Sequence, residues 1–411
     1  MKDSHLATAV RARARELGFD PVGIARVGAS DHAAFYRHWL RDGRHGAMDY
    51  LARPDAVERR ADVRRTLESA RSAIVVGHNY AQDDRAGVPG DPSRGVVARY
   101  ARNRDYHRVL ARDLKALHRR LEEEAGGPVE ARAYTDTAPI LERDLARRAG
   151  VGWFGKNTML IHPRKGSYFL LGALLTEMEL EPDPPFEADH CGTCRRCIEA
   201  CPTGALLGRD LRGAPVMEAR RCISYLTIEL RGPIPRELRP LVGNRVFGCD
   251  ICQEVCPFNE KFAEPTSNPA YAARGPGERP HGVQRDPTVP EALHPGTNGP
   301  LLTELLETAL SEESWESFSR GSPIRRPGRA GFARNVCVAM GNWLADEKRP
   351  DLTAVDLLVR ALSDAEPLVR GHAAWALGRA RTAEARPSLE GAMASEDDSW
   401  VRDEIALALG A

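Results

Sequence analysis

Long apolar runs, lysine and net charge are what this 411-residue sequence has least of. No segment approaches the roughly 18 consecutive apolar residues that a membrane-spanning helix needs, so the sequence predicts none. The 58 basic and 58 acidic side chains cancel, and the total charge therefore predicts no polyanionic partner, although a local basic patch stays compatible with one. Nearly all basic side chains are arginines, which suit phosphate contacts without demanding them.

The N-terminal segment, residues 1–20, lacks the apolar core and small-residue cleavage site of a secretory signal peptide. The spacing of Leu6, Val10 and Leu17 predicts an amphipathic helix there instead. The cysteines cluster in metal-type spacings and do not spread as a disulfide framework, which fits a reducing compartment. We therefore expect a cytoplasmic protein, and nothing in the sequence demands a partner subunit, so a monomer is expected.

Eight of the nine cysteines carry the strongest chemical signal. Residues 191–202 read C-x2-C-x2-C-x3-C-P, the spacing of bacterial two-cluster ferredoxins, and residues 249–257 read C-x2-C-x3-C-P. In such runs the cysteine before proline binds the other cluster. The spacing therefore assigns one 4Fe–4S cluster to Cys191, Cys194, Cys197 and Cys256, and a second to Cys201, Cys222, Cys249 and Cys252. The second half departs from the usual pattern because Cys222 lies far upstream of Cys249.

Zinc is the alternative ligand for paired cysteines. The close triplet and the two Cys-Pro dipeptides favour iron–sulfur clusters over zinc. Two clusters joined by crossed ligation lie close enough for rapid electron transfer, so this region is predicted to conduct electrons to a reaction centre elsewhere in the chain.

The remaining segments predict a multidomain α+β protein. Residues 72–77 and 166–176 are strand-like apolar runs, and residues 109–125 form an amphipathic helical pattern, which together indicate an α/β or α+β domain. We divide the chain into an α/β N-terminal domain (1–182), a ferredoxin-like domain (183–262), an irregular connection (263–318) rich in proline and glycine, and HEAT-like helical repeats (319–411).

The C-terminal repeats are visible as an echoed motif. Residues 368–378 recur at 400–410 and, more weakly, at 334–341, at the spacing of stacked helical repeats. Cys337 falls on the apolar face of the first copy and is predicted to be a buried core thiol. The arginines of the repeats form either a solvated face or an RNA-binding face, and the sequence leaves both open: Arg370, Arg379, Arg381 and Arg402.

Four segments, in order, carry a resemblance to a known family. They are Arg99–His107 (Arg-Tyr-Ala-Arg-Asn-Arg-Asp-Tyr-His), residues 133–143 around Tyr-Thr-Asp-Thr-Ala-Pro, residues 149–167 around Trp-Phe-Gly-Lys-Asn-Thr, and Cys222–Glu229. With the cysteine region and the repeats, they make the chain resemble the epoxyqueuosine reductases, which are cobalamin-dependent iron–sulfur enzymes of tRNA modification. The resemblance extends over essentially the whole chain.

The resemblance implies reduction of epoxyqueuosine at the wobble position of tRNA to queuosine, the last step of queuosine biosynthesis. It implies cobalamin bound between the N-terminal and ferredoxin-like regions, with electrons from an external low-potential donor such as a flavodoxin or ferredoxin. Asp136 matches the family's proton donor. The positions that match cobalamin contacts are Arg60, Tyr100, Asp136, Asn157, Leu160, Ser167 and Asp250, and those on the tRNA side are Ser224 and Arg231.

The chemistry sets a requirement for Asp136. Reductive opening of an epoxide needs two electrons and a proton for the oxygen, and a general acid near neutral pH needs a carboxyl pKa of roughly 6 to 7. Because Tyr134, Pro139 and Ile140 surround Asp136 in the sequence, we expect burial to raise its pKa. The competing interpretation of an aspartate between threonines is a turn or a helix cap.

Two further patterns need an interpretation. Gly150, Gly152 and Gly155 imitate a dinucleotide-binding fingerprint, but no predicted strand leads into them and the matching acid is absent. We interpret these glycines as allowing close approach of the backbone to a large flat ligand. His162 and His190 are interpreted as surface or core residues, not metal ligands.

Two other functions remain in competition. A reductive dehalogenase also pairs cobalamin with two clusters, but those enzymes usually carry a twin-arginine export signal and lack a HEAT tail. A non-catalytic iron–sulfur electron carrier with a protein-docking repeat tail explains the cysteines and the repeats, but leaves residues 130–170 without a role.

Overall fold

The computed structural model describes residues 2–82, 90–271, 299–346 and 351–410. Its helices are α1 (Lys2–Glu16), α2 (Ala33–Arg41), α3 (Asp49–Ala52), α4 (Pro54–Ala61), α5 (Tyr106–Ala125), α6 (Glu142–Arg148), α7 (Arg196–Glu199), α8 (Ile223–Ile228), α9 (Arg239–Val242), α10 (Ile251–Glu254), α11 (Pro257–Phe262), α12 (Leu302–Ala309), α13 (Glu312–Ser319), α14 (Gly328–Asp346), α15 (Leu352–Ala361), α16 (Pro367–Ala380), α17 (Ala385–Ser395) and α18 (Ser399–Leu409). Its strands are β1 (Val22–Arg26), β2 (Ser72–Asn79), β3 (Val96–Val97), β4 (Ala131–Tyr134), β5 (Trp153–Phe154), β6 (Leu160–Ile161), β7 (Phe169–Thr176), β8 (Leu206–Arg209), β9 (Pro215–Met217) and β10 (Arg245–Phe247).

The chain forms two compact units, each made of three separate segments. Unit 1 comprises Met1–Gln82, Asp105–Arg220 and Asp250–Ala272. Unit 2 comprises Asp83–Arg104, Arg221–Cys249 and Ala273–Ala411. These units cut across the four consecutive domains expected from the sequence, because the cysteine region contributes segments to both. No helix among the described residues is long and apolar enough to span a membrane.

A four-stranded sheet in the order β1-β2-β7-β4 is the centre of unit 1. The predicted strand at 72–77 and helix at 109–125 are confirmed as β2 and α5. Alternate residues of β2 point to opposite faces, so Ile74 packs with α1 and α5 while Val75 packs with α6. The sheet is therefore covered by helices on both faces.

Helix α5 has the sequence features of a stable, buried amphipathic helix. Its leucines at positions 110, 114, 117 and 121 recur at helical spacing and are completely buried. Asp105 caps its N-terminus by accepting the backbone N–H of His107, and Gly126 ends it in the left-handed conformation at φ 78°. Burial of each leucine side chain stabilises the fold by about 1.5–3 kcal/mol. The buried helix therefore holds Tyr106 and His107, which lie in its first turn, in a fixed position.

The predicted α/β arrangement of the N-terminal domain is wrong in one respect. All three strand pairs of the sheet are antiparallel, with Ile24 opposite Ile74 and Ile74 opposite Leu174. The unit is therefore α+β in type. Apolar strands separated by helices look alike in parallel and antiparallel sheets, and the pairing direction depends on contacts between distant segments.

Stacked helices form the C-terminal part of unit 2, as the repeated motif predicts. The repeated glycines allow the helices to approach closely: a side chain at Gly341 would collide with Trp375 and Ala376, and one at Gly378 with Ala408. Cys337 on α14 is completely buried, which confirms its prediction as a core thiol.

The repeat arginines make internal contacts. Arg370 donates two hydrogen bonds to the Glu396 carboxylate, at 2.6 and 2.7 Å. Arg402 donates to the Glu396 backbone oxygen at 3.0 Å. These two side chains join successive helices, so the structure favours an internal role over the RNA-binding interpretation for both. Arg379 lies over the Trp375 ring, and Arg381 ends α16 in the left-handed conformation.

The prediction of an irregular connection over 263–318 is wrong at its C-terminal end. Residues 302–319 form α12 and α13, in which Leu302, Leu305, Leu306 and Ala309 follow helical spacing and are completely buried. The neighbouring proline-rich and glycine-rich composition concealed this short pattern. The central part of the predicted connection, residues 272–298, lies outside the described residues.

Within unit 2, residues of α14 hold the segment between α8 and β10. Arg334 donates hydrogen bonds to the backbone oxygens of Leu230, Gly232 and Leu226 at 2.7–2.8 Å. The adjacent Asn335 donates to backbone oxygens of the same segment at 2.7 and 2.9 Å. Both side chains are completely buried, so the first repeat helix is part of the scaffold for the residues that follow Cys222.

Candidate active site

The first group of cysteines lies together in unit 1. Cys256 begins α11 and packs beside Cys191 in a cluster with Trp153, Phe186 and Phe258. Burial and the neighbouring charges of Cys191, Cys256 and Cys194 together raise the pKa of the Cys197 thiol to about 11. The structure therefore brings Cys256, more than fifty residues away in the chain, to the Cys191–Cys197 triplet. The cluster ligand set itself stays a prediction.

Two donors from the β5–β6 region order this cysteine loop. The Trp153 indole N–H points to the Cys191 sulfur at 3.5 Å. The Lys156 ammonium donates to the backbone oxygens of Gly192 at 2.6 Å and Cys194 at 2.9 Å. Hydrogen bonds and positive charge near cluster sulfurs raise the reduction potential of an iron–sulfur cluster. Trp153 and Lys156 are therefore placed where they would act on a cluster bound by this loop.

The second group of cysteines is divided between the two units. Cys201 and Cys252 belong to unit 1, and Cys222 and Cys249 to unit 2. The Cys201 sulfur accepts the backbone N–H of Ala205 at 3.3 Å. The assignment of these four residues to one cluster stays a prediction.

Asp136 lies in the loop between β4 and α6, where two donors reach the same carboxylate oxygen. The Tyr106 hydroxyl donates to Oδ2 at 2.7 Å, and Nε2 of His107 lies 3.4 Å from Oδ2. The backbone of Asp136 is in the left-handed region at φ 53°, which is uncommon for a residue other than glycine. Asp136 does not cap the following helix, whose N-cap is Leu141, and aspartate adopts the left-handed conformation in turns. The two donors add a fixed orientation of its carboxylate to that turn.

The expectation that burial raises the Asp136 pKa is wrong. Burial of the loop does raise the pKa, but the hydrogen bonds from His107 and Tyr106 lower it more, and the net pKa is below its ordinary value. Burial is the largest single influence on this pKa, but the hydrogen bonds from His107 and Tyr106 and the positive charges of His107 and Arg143 together outweigh it. The residues adjacent in the sequence suggested an apolar setting, whereas the partners that decide the charge lie on α5.

His107 has the opposite shift. Burial lowers its pKa, but hydrogen bonds and charge from Asp105 and Asp136 raise it to about 9. Its Nδ1 lies 2.7 Å from Oδ1 of Asp105. His107 is therefore protonated at neutral pH beside an ionised Asp136.

Glu142, the first residue of α6, is the second titrating group at the site. Burial and the negative charge of Asp136 raise its pKa, the positive charges of Arg143 and Arg60 lower it, and the net pKa is about 8. Its Oε1 is buried and has no hydrogen-bond partner among the described residues. Glu142 is thus a protonated carboxyl group near the ionised Asp136. Two carboxyl groups whose pKa values differ in this way can take different roles in acid–base catalysis.

Buried polar atoms without protein partners cluster around the same loop. Within the described parts of the chain they include Nη1 of Arg60, Oγ1 of Thr135 and Oγ1 of Thr158. Arg143 donates to the backbone oxygen of Thr158 at 2.8 Å, and Thr158, like Asp136, has a positive φ of 65°. Since buried polar groups are normally hydrogen-bonded, this group fits a polar ligand with many acceptors and donors.

The other residues matched to cobalamin contacts have diverse surroundings. The Asn157 amide donates to the Cys252 backbone oxygen at 3.2 Å, which links the β5–β6 region to the cysteine region. The Ser167 hydroxyl accepts from Gln253 and Asn259, both at 3.0 Å, and Leu160 is buried in the core. Asp250 is buried in unit 1, whereas Tyr100 belongs to unit 2, next to Phe247. No contact of these residues with a cofactor is tested, and their roles stay predictions.

The interpretation of the three glycines is wrong. A side chain at Gly150 would collide with the Pro184 backbone oxygen, and one at Gly152 or Gly155 with Ile161. The glycines thus allow close approach of the protein's own segments and not of a flat ligand. His190 packs in an edge contact against Trp153, and burial lowers the pKa of His162 to about 4.

The residues matched to the tRNA side lie on one segment of unit 2. Ser224 is on α8, and the exposed Arg231 donates to the Arg326 backbone oxygen at 2.8 Å. Their contact with RNA stays a prediction.

A cavity of about 790 Å³ lies elsewhere in unit 1, between α2, the β8–β9 hairpin and the segment before Cys191. Trp153, His38, Trp39, Arg44 and Arg212 are among its lining residues. It does not include Asp136, so the proposed catalytic chemistry does not depend on it.

Sequence reasoning missed Tyr106, His107 and Glu142 as site residues. Tyr106 and His107 lie in the Arg99–His107 motif and Glu142 follows the Asp136 motif, so each stood beside a recognised signal. What the sequence did not contain is the convergence of Tyr106 and His107 on the Asp136 carboxylate, or the effect of its charge on Glu142.

The cysteine pattern and the helical repeats define an iron–sulfur oxidoreductase with a C-terminal repeat domain, and comparisons with family models agree. The 4Fe-4S double cluster binding domain matches residues 190–259, the epoxyqueuosine reductase QueG family (DUF1730) residues 60–137, and HEAT repeats residues 331–410. The prediction of two clusters and of HEAT repeats is confirmed, and zinc is set aside.

Whole-chain relatives identify the family. The epoxyqueuosine reductase of Pseudomonas aeruginosa is 40% identical over 379 residues, covering 92% of this chain and 95% of that protein. The Escherichia coli epoxyqueuosine reductase is 38% identical over 378 residues, covering 92% and 90%. This chain belongs to the epoxyqueuosine reductase family, which is cobalamin-dependent.

Solved structures show the same fold. A crystal structure of epoxyqueuosine reductase with an epoxyqueuosine-modified tRNA-Tyr stem loop matches with a TM-score of 0.81 and 28% identity, covering 99% of this chain and 98% of that one. A Bacillus subtilis epoxyqueuosine reductase, solved with its catalytic aspartate loop swung out of the active site, matches with a TM-score of 0.79 and 27% identity over 99% and 98%.

Proposed function

We propose that this chain removes the epoxide oxygen of epoxyqueuosine at the wobble position of tRNA, giving queuosine as the last step of its biosynthesis. The reaction takes two electrons and two protons, and the oxygen leaves as water. Membership of the family supports the assignment, as does the relative that holds a modified stem loop. In this chain, the proposal is carried by the approach of the Tyr106 hydroxyl and the His107 imidazole to one carboxylate oxygen of Asp136. These residues lie in unit 1, which also holds the first cysteine group.

The polar atoms around the Asp136 loop fit a cobalamin. Arg60, Thr135 and Thr158 offer buried atoms without protein partners, and we propose that they hold it together with the matched positions Tyr100, Asn157, Leu160, Ser167 and Asp250. When bound, the cobalamin supplies a cobalt centre that two electrons convert into a strong nucleophile or electron donor toward carbon. The two cysteine groups would hold 4Fe–4S clusters able to pass those electrons singly from an external low-potential donor such as a flavodoxin or ferredoxin.

Asp136 is the proposed proton donor to the epoxide oxygen. Its exposure lets a substrate reach the carboxylate, and the two donors on Oδ2 fix the orientation of the carboxylate group. The relative whose catalytic aspartate loop is described supports this role. Ser224 and Arg231 are proposed to contact the tRNA, and the chain is proposed to act as a cytoplasmic monomer.

Anaerobic reconstitution tests the assignment. The chain with clusters and cobalamin, given a low-potential reductant and epoxyqueuosine-containing tRNA, is expected to yield a nucleoside lighter by one oxygen in mass spectrometry. Asp136→Asn is expected to keep clusters and cobalamin but to lose about 10²–10⁴-fold in turnover, the usual contribution of a positioned acid. The matched control is Glu181→Gln, an exposed acid of the same unit.

Two results contradict the proposal. No conversion by the parent chain, with both cofactors verified, would exclude the reductase. An Asp136→Asn variant that turns over at the parent rate would exclude the proton donor. The electron-carrier alternative predicts clusters without cobalamin affinity.

A further inference from the structure

The first turn of α5 places three consecutive side chains around one acid–base unit. Asp105 accepts the His107 backbone N–H at 3.1 Å and faces Nδ1 of the same residue at 2.7 Å. Nε2 of His107 faces Oδ2 of Asp136 at 3.4 Å, and the Tyr106 hydroxyl donates to that oxygen at 2.7 Å. The imidazole ring therefore lies between two carboxylates, one from its own helix and one from the β4–α6 loop.

This geometry determines how the imidazole is protonated. A neutral histidine has one donor and one acceptor nitrogen, so one of the two carboxylates would face a lone pair. An imidazolium donates to both carboxylates. The other charged groups near the unit are Arg108, which acts on Asp105, and Arg143 and Glu142, which act on Asp136. The pKa of His107 is accordingly raised to about 9, while that of Asp136 is lowered.

The proposed reaction needs a proton where the structure holds a carboxylate. At neutral pH, Asp136 is ionised and has no proton to donate. His107 carries one at 3.4 Å. The side chain of His107 is 33% exposed, which gives it access to solvent for reprotonation.

Resting on the proposed function, we propose that His107 stores the proton that Asp136 delivers, and that Asp105 fixes the imidazole for this transfer. The Nε2–H bond of His107 breaks as an O–H bond forms on Asp136 Oδ2, and that O–H bond breaks in turn when the epoxide oxygen takes the proton, so that Asp136 ends as a carboxylate. The second proton that completes the water molecule comes from solvent. His107 is left as the neutral tautomer with its proton on Nδ1, bonded to Asp105, and regains a proton from solvent. The two electrons come from the external low-potential donor. His107 acts through Asp136 and is therefore a positioning residue.

The competing interpretation is purely structural. Asp105 is the N-cap of α5, and the rings of Tyr106 and His107 stack at 4.0 Å, so both side chains help hold the Asp136 loop. If support of the loop is their whole role, replacing either residue changes the rate by a factor that does not depend on pH. Proton storage predicts that the two replacements behave differently with pH.

Single-turnover rates from pH 6 to pH 8 separate the two interpretations. The parent is expected to be nearly independent of pH in this range, because the imidazolium persists to about pH 9. In His107→Gln, the protonated fraction of Asp136 falls about tenfold per pH unit, so the rate is expected to fall by the same factor. Tyr106→Phe removes the other donor on Oδ2 but keeps the imidazole, and is expected to lose rate equally at every pH. His118→Gln, on the same helix with its ring against the Val129 backbone oxygen, is the unchanged control.

A spectroscopic measurement tests the same claim without turnover. In the ¹⁵N-histidine-labelled chain without cobalamin, both His107 nitrogens are expected to show imidazolium shifts at pH 7.5 and to titrate near pH 9. Asp105→Asn is expected to lower that midpoint. The histidine-ring and backbone-amide spectra of the variant are expected to show that the chain stays folded.

The outcomes are distinct. A pH-independent His107→Gln variant, or a His107 that titrates at or below the ordinary histidine pKa, overturns proton storage. If the parent converts no epoxyqueuosine, the proposed function fails, while the histidine titration still decides whether His107 holds a proton. If His107→Gln does not fold, the titration of the parent and of Asp105→Asn decides alone.

Discussion

Replacing Glu142 with glutamine removes a carboxyl group that the fold keeps from ionising. Burial and the charge of Asp136 raise its pKa from 4.5 to about 8. Between those values the folded chain keeps a proton that the unfolded chain has released, so the stability of the parent falls as pH rises. Glutamine has the same shape and does not titrate. The variant is therefore expected to be the more stable protein, increasingly so from pH 6 to pH 8.

The size of the effect follows from the pKa difference. Each pH unit between the two values costs the parent about 1.4 kcal/mol, which is about 2.8 kcal/mol from pH 6 to pH 8. Because the folded carboxyl is already partly ionised near pH 8, the advantage of Glu142→Gln widens by about 2 kcal/mol over this range. For a unit of 150–250 residues, about 2 kcal/mol corresponds to a difference of about 4–8 °C in Tm. Above pH 8 the difference becomes constant.

Thermal unfolding of the reconstituted chain, followed by tryptophan fluorescence at several pH values, measures this widening. Glu181→Gln is the matched control, because it makes the same chemical change on an exposed side chain of unit 1. Asp136→Asn removes one of the charges that raise the Glu142 pKa and is expected to reduce the widening. A difference between Glu142→Gln and parent that stays constant from pH 6 to pH 8 would refute the reasoning.

Two further replacements test other parts of the molecule. Cys256→Ser is expected to lose about half of the bound iron, because Cys256 lies with the first cysteine triplet. Iron analysis measures this loss, and Cys337→Ala, which changes the remaining cysteine, is the control that is expected to keep both clusters. Full iron content in Cys256→Ser would contradict the prediction. Glu404→Gln is expected to destabilise unit 2 by about 3–5 kcal/mol, because it leaves the buried Arg239 guanidinium without the carboxylate it contacts at 2.6 and 3.0 Å. Thermal unfolding measures that loss, and an unchanged Tm would contradict it.

Features with a local signal were predictable from the sequence. The cysteine spacing, the buried strand β2 and the amphipathic α5 each depend on a pattern within about twenty residues, and all three appear in the structure. The repeated glycines of the C-terminal helices also signalled their close packing, because only a residue without a side chain fits against Ala376 or Ala408.

Features that depend on distant segments were not predictable. The direction of strand pairing joins β1, β2, β7 and β4 from four separate parts of the chain. The charge state of Asp136 is another example: its neighbours in sequence suggested desolvation, whereas Tyr106 and His107, some thirty residues earlier, supply the hydrogen bonds that lower its pKa. No local pattern around Asp136 contains that information.

The site is nevertheless recognisable in the structure from features that cost folding free energy. Asp136 and Thr158 both have a positive φ, at 53° and 65°, and such backbone strain persists only where the surrounding fold enforces it. Glu142 and Arg60 each bury a polar atom without a protein partner in the same part of unit 1. Each feature destabilises the folded chain, and a fold optimised for stability alone would avoid them. Their convergence on the loop that carries Asp136 therefore identifies a functional site even before any relative is considered, and it supports the expectation that replacing Glu142 increases stability.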